Sequence, residues 1–243
     1  MSKAVLLNNV EHKDIKVDIT YSAEYGDNVN RALAFSAEFG DLQKEYPILF
    51  YKDNESKDFQ AHVILGFEKD ENLFLGEDGW LGNYVPASLA RGPFLIGFQS
   101  REAEGKVVKE PVIHIDMDNP RVGTENGQPL FLTYGGDTPY LEKIMQILQV
   151  VHQGAVLDEQ FFVLLDSMGL FEPVNIEISL SNITSVNLNN YYCINEDKLA
   201  QLDAESLDKL HKKGLLGLVY FALSSMGNFN KLIELKNKKM AIG

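Results

Sequence analysis

One cysteine, one tryptophan, four arginines and no long apolar run in 243 residues already exclude several classes of function. A lone Cys193 closes no intramolecular disulfide and builds no thiolate metal cluster. In its strand it reads as a small core hydrophobe rather than a nucleophile. The most apolar run, residues 214–226, is interrupted by Gly217, Ser224 and Ser225. It falls short of the roughly 20 residues that a membrane helix needs. The first residues carry one lysine and a four-residue apolar run, residues 4–7, too short for the core of a secretory signal. Together these absences predict a reduced, cytoplasmic protein without membrane insertion. Positive charge is scarce as well: 22 Lys and Arg stand against 35 Asp and Glu, a net charge of −13. A surface of that sign excludes general nucleic-acid binding, which requires cations to displace phosphate counterions.

Catalytic signatures are also missing. There is no Gly-x-Ser-x-Gly elbow around Ser88, and the glycines at 123–127 and 135–136 lack the spacing and the lysine of a phosphate loop. Asp116-Met117-Asp118-Asn119 has neither the glycine nor the glutamate that an EF-hand loop requires.

What remains is an ordinary globular composition, 45% hydrophobic and 23% charged, long enough to bury a sizeable core. The periodicity predicts an α+β protein, with a β-rich N-terminal half of antiparallel strands packed on a mixed, helix-rich C-terminal half. The chain reads as a single domain over 1–243. It resolves into two subdomains, 1–123 and 137–243, joined by the turn-rich residues 123–136. Strands are expected at 15–21, 48–51, 60–67 and 73–75 (the last two as a hairpin), 94–98, 106–108, 112–117, 174–180 and 186–194. Residues 32–39 fit strand or helix. Thr138-Pro139 starts a helix that Gly154 should end, with a second helix at 157–168 stopped by Gly169. Asn195 and Asp203 cap two short helices. Residues 215–235 read as one buried helix, serving a core or a dimer equally well, before a fraying tail.

The least ordinary stretch is residues 79–98. It holds the sole tryptophan, one of the four arginines, two of the eight prolines and four of the nineteen glycines. Prolines fix φ, glycines permit unusual φ, and the aromatics between them want burial. Trp80, Tyr84, Arg91 and Phe94 are the candidate ligand-binding residues, with Arg91 also readable as a clamp on backbone carbonyls. As an alternative, His114 and Asp116 lie two apart on a strand and share a face. With His152 or His211 they would form the ligand set of a non-haem iron oxygenase using iron and 2-oxoglutarate.

Several segments in order resemble the bacterial SapC family: Glu45-Tyr46-Pro47-Ile48-Leu49-Phe50, Trp80 with Asn83-Tyr84-Val85-Pro86, Arg91-Gly92-Pro93-Phe94, and Asp116-Met117-Asp118-Asn119-Pro120-Arg121-Val122. Gly127-Gln128-Pro129-Leu130-Phe131, Ile194-Asn195-Glu196-Asp197-Lys198-Leu199 and Ser224-Ser225-Met226-Gly227-Asn228 continue it. Gly92 departs from the family, which usually has a bulkier residue before the Pro-Phe pair. The resemblance implies an accessory role in nutrient uptake or surface modification, and it transfers no catalytic residue. The expectation is therefore a binding protein without a cofactor, engaging a protein partner or a small-molecule ligand near Trp80–Arg91. An iron oxygenase and a structural surface-layer component are the alternatives.

Overall fold

The computed structural model describes residues 3–103, 106–179 and 185–242. Helices and antiparallel sheets are both present, with strands concentrated in the N-terminal half and helices in the C-terminal half, so the protein is α+β. A five-stranded antiparallel sheet has the spatial order Phe171–Ser179, Ser185–Ile194, Ile48–Lys52, Phe59–Ile64, Arg31–Ala34. Alternation along these strands puts Ile48, Phe50, Ala61 and Val63 into a shared core with Phe39, Phe161 and Leu165. Phe50 sits at its centre, with ring centroids 5.0 Å from Phe171 and 6.3 Å from Phe161.

A second sheet has the order Ala4–Leu6, Lys106–Asp116, Phe94–Ala103. It carries a separate core of Val17, Phe94, Ile115, Leu130, Leu141, Ile144 and Leu148. One helix serves both cores. Pro139–Ser167 contributes Leu141, Ile144 and Leu148 to the smaller and Phe161, Phe162 and Leu165 to the larger. Its start follows the sequence signal, with Pro139 in the first turn and Thr138 Oγ1 accepting the Leu141 N–H at 3.3 Å.

The helix does not stop at Gly154, and the two expected helices are one. An added Cβ there would lie 2.4 Å from the Phe35 Cβ, so the glycine is a point of close approach rather than a break. Glycine inside a helix costs only about 1 kcal/mol, which the packing around it outweighs.

Residues 15–21 are not a full strand. Pairing is limited to Lys16–Val17, because Asp18 turns to accept from the Thr20 N–H and hydroxyl while Arg121 takes the Asp18 and Thr20 carbonyls. Residues 32–39 are strand and then helix: Arg31–Ala34 leads into the 3-10 turn Ser36–Glu38 and the short helix Phe39–Leu42. The strand expected at 60–67 forms as Phe59–Ile64, but the hairpin with 73–75 does not: a single bond, Leu73 N–H to the Leu65 carbonyl, returns to it, and Leu75–Gly76 pairs with Gly79–Trp80 instead. The strands expected at 106–108 and 112–117 are one, Lys106–Asp116.

Near the C-terminus, Leu216–Ser225 and Phe229–Ile242 are separated by a 3-10 turn. Ser225 Oγ accepts the Ile48 N–H at 2.9 Å, and the Asn228 amide donates to the Gln43 and Tyr46 carbonyls. The tail does not fray at residue 236. Lys236 is buried and donates to Glu68 and Glu71 at 2.7 Å each, while Glu71 also accepts the Phe67 N–H. That ion cluster shapes residues 68–72 into a corner. The expected turn at Ser181–Thr184, and Leu180 before it, lie outside the described residues. Among the described residues no helix is long and apolar enough to cross a membrane.

Candidate functional site

Residues 79–98 are anchored mainly by side chains from residues 35–46. The Trp80 indole stacks on Phe74 (6.3 Å, 15°) and receives Tyr21 edge-on at 5.6 Å. Its Nε1–H donates to Tyr46 Oη at 2.9 Å, and the Tyr46 hydroxyl donates onward to the Tyr84 carbonyl at 2.5 Å. Gly82 passes over this pair, where a Cβ would fall 2.3 Å from Tyr46 Oη. The Glu45 carboxylate accepts the Asn83 N–H. Glu38, only 2% exposed, accepts from Tyr84 Oη at 2.8 Å, the Ala87 N–H at 2.9 Å and the Phe35 N–H at 3.0 Å. Burial pushes the Glu38 carboxyl up despite these three donors. Burial, followed by the Glu38 charge, pushes the Tyr84 phenol up as well, so Tyr84 stays a donor.

So held, Asn83, Tyr84, Val85 and the short helix Ala87–Ala90 face the first half of the long helix across a cleft of about 380 Å³. Lys143, Gln146, Ile147 and Val150 form the helix wall, and Tyr21 closes one end. An adjoining recess of about 30 Å³ is lined by Gly92, Pro93, Arg121 and Tyr140. Arg121 fixes that end: it pairs with buried Asp27 at 2.5 Å and lies over the rings of Tyr25 (4.6 Å) and Tyr21 (5.5 Å). Among the described residues Lys143 has no ion-pair partner, and the side-chain amides of Asn83 and Gln146 make no hydrogen bond. A cation, two amides and an apolar wall of Val85, Ile147 and Val150 thus converge on one space. No lining residue is a carboxylate, thiol or imidazole. The chemistry on offer is recognition of an acceptor-bearing ligand.

The four residues singled out from sequence do not surround one space. Tyr84 lines the cleft. Trp80 stands behind it, engaged with Tyr46. Arg91 donates from Nη1 to the Phe94 carbonyl at 2.8 Å, clamping the entry to its own strand. Phe94 is fully buried in the smaller core, edge-on to Tyr140 at 6.1 Å.

His114 and Asp116 share the sheet face opposite Ile113 and Ile115, which turn toward the long helix. The His114 ring lies over Gly97, where a Cβ would come within 2.4 Å, and Asp116 accepts from the Asp118 N–H in a turn. His152 packs edge-on against Phe98 at 5.4 Å, on the helix side of the sheet. The sheet therefore separates it from His114. His211 sits in the last turn of the helix Ala204–Lys212. Among the described residues no three metal-capable side chains gather.

Sequence reasoning missed Glu38, Tyr21, Lys143 and Gln146. Glu38 lay in a segment of ambiguous period, and the other three had no local signal.

A model of the SapC family matches residues 7–232. No curated protein and no solved structure matches the chain.

Proposed function

This chain belongs to the SapC family, and on that premise we propose that it is an accessory binding protein whose cleft beside Tyr84 holds a small ligand bearing an anionic or acceptor group. The observation that carries the reading is Lys143, without an ion-pair partner among the described residues, set with the Asn83 and Gln146 amides against an apolar wall in a space of about 380 Å³. A cleft of that size, mostly apolar with a few polar groups to fix orientation, has the make-up of a small-ligand site. The family resemblance supplies the setting, nutrient uptake or surface modification, in which a carrier or adaptor is the useful part.

Native mass spectrometry of protein purified from its own host tests this. The wild type should retain a ligand mass that Ala90→Trp, which fills the cleft, and Lys143→Glu both lose at unchanged melting temperature. Equal retention by both variants, or none by the wild type, would sink the reading.

A further inference from the structure

The second half of the long helix borders a different cleft, of about 500 Å³, whose opposite wall is the start of the strand Phe59–Ile64. Its floor is apolar: Phe59 and Phe162 are buried beneath it, while Val163 stays 67% exposed at its mouth. Four carboxylates line it, those of Asp58, Asp158, Glu159 and Asp166, against one cation, Lys57. An ammonium already uses such surroundings at the rim. Lys52 Nζ stands 4.6 Å over the Phe59 ring and 4.0 Å from Asp166. Among the described residues the carboxylates of Asp58 and Glu159 have no cationic partner. Asp158 accepts the Ser36 N–H (2.8 Å), and burial pushes its carboxyl up to about 6, as expected of a carboxylate without a counter-charge among the described residues.

The backbone adds a second kind of recognition. Asp53 N–H donates to the Asp58 carbonyl at 2.9 Å, so residues 58 and 60 turn their amide groups toward the strand Ile48–Lys52. Pairing in an antiparallel ladder alternates, so the Phe59 N–H and carbonyl turn the other way, toward the cleft. The neighbouring strand that would meet them ends at Ala34, opposite Ala61. The chain then leaves through Phe35 into the Ser36–Glu38 turn. Phe59 therefore stands at an open sheet edge, the feature that strand addition uses.

We propose that this cleft docks an extended peptide segment that pairs with the open edge at Phe59, sets Lys or Arg side chains against Asp58 and Glu159, and lays an apolar side chain on Phe162 and Val163. Backbone pairing supplies register and the carboxylates select the sign of the partner's charge. The proposal is independent of the Lys143 cleft, which lies along the other half of the helix.

The test is an amide-resolved NMR titration of the full chain at low salt with acetyl-Val-Lys-Leu-Arg-Val-amide. Saturable shifts centred on Phe59 and Gln60, with slowed exchange of the Phe59 amide, are expected. The double variant Asp58→Asn/Glu159→Gln, both at exposed sites, should fold normally and weaken binding about tenfold. Val163→Arg should abolish it. Four outcomes would overturn the proposal: no saturable shift in the wild type, equal affinity in the double variant, equal binding of acetyl-Val-Glu-Leu-Asp-Val-amide, or equal binding of free phenethylamine with the Phe59 amide unmoved.

Discussion

Two clefts lie along one helix, and they differ most in the sign of the charge left unpaired. Beside residues 143–150 the charge without a partner among the described residues is Lys143, over a wall whose opposite side is held by Glu38, Glu45 and Tyr46. Beside residues 155–166 the charges without a cationic partner among the described residues are the carboxylates of Asp58 and Glu159, over a floor of Phe59 and Phe162. The helix fixes the position of both, and the segments packed against it set the polarity. In residues 79–98 nearly every polar group that looks functional is engaged internally: the Trp80 indole with Tyr46, the Tyr84 hydroxyl with Glu38, Arg91 with the Phe94 carbonyl. Unusual composition there marks construction. The groups free to meet a ligand are unremarkable lysines, amides and carboxylates on polar faces.

The largest expected effect breaks the first cleft alone. Arg121→Met leaves Asp27 buried without its partner and frees the carbonyls of Asp18 and Thr20, beneath Tyr21. Removing one member of a buried pair costs about 3–5 kcal/mol, which urea or thermal unfolding would read directly. Adding Asp27→Asn to that variant should recover part of the loss. A loss under about 1 kcal/mol for Arg121→Met would mean that the pair does not hold this end of the cleft.

A smaller loss should disturb both clefts together. Gly154→Ala places a methyl 2.4 Å from the Phe35 Cβ, an atom with little freedom to move. Overpacking costs about 1–3 kcal/mol, and the gain in helix propensity returns at most about 1 kcal/mol. A net loss of about 1–2 kcal/mol is expected, with amide shifts on both halves of the helix. Stabilisation by this substitution would show that the helix is free to slide away from Phe35.

How much of this was legible in the sequence follows from the range of each interaction. The strands expected at 48–51 and 174–180, found as Ile48–Lys52 and Phe171–Ser179, and the caps at Thr138, Asn195 and Asp203 are set by neighbours within a few residues, and they read correctly. Gly154 did not, because a glycine that ends a helix and one that admits a neighbour look alike until Phe35 is placed. The strand at 15–21 was cut short by Arg121, a hundred residues downstream, and the corner at 68–72 was built by Lys236. At the first cleft only Tyr84 stood out. Glu38 is tied to residues 84 and 87, which no periodicity connects to it, and Lys143 reads as one more solvated helix lysine.

Asp158 distinguishes the second cleft by pH. Burial holds its folded-state carboxyl at about 6, above the unfolded value of about 3.9. Below about pH 4 both states are protonated and the group costs nothing; as pH rises toward 6 the unfolded state ionises first and stability falls. Asp158→Asn keeps an acceptor for the Ser36 N–H and removes that cost. The variant should match the wild type near pH 4 and exceed it by about 1 kcal/mol above pH 7. Parallel curves across that range would show that Asp158 is already matched by a cation in the free protein.

The smallest stability effects carry the sharpest form of the comparison. Lys143→Gln and Glu159→Gln each remove an exposed charge with no ion-pair partner among the described residues, so each should change stability by less than ~0.5 kcal/mol. Residues that build the fold cannot behave this way, as Arg121 and Gly154 should show. If the two clefts recognise opposite charges, the pair must separate in binding while coinciding in stability. Lys143→Gln should lose the host-derived ligand and leave the basic peptide's titration unchanged, and Glu159→Gln should do the reverse. A variant that weakened both ligands would show that the long helix transmits a change from one cleft to the other. The two sites would then be one coupled system rather than neighbours on a common scaffold.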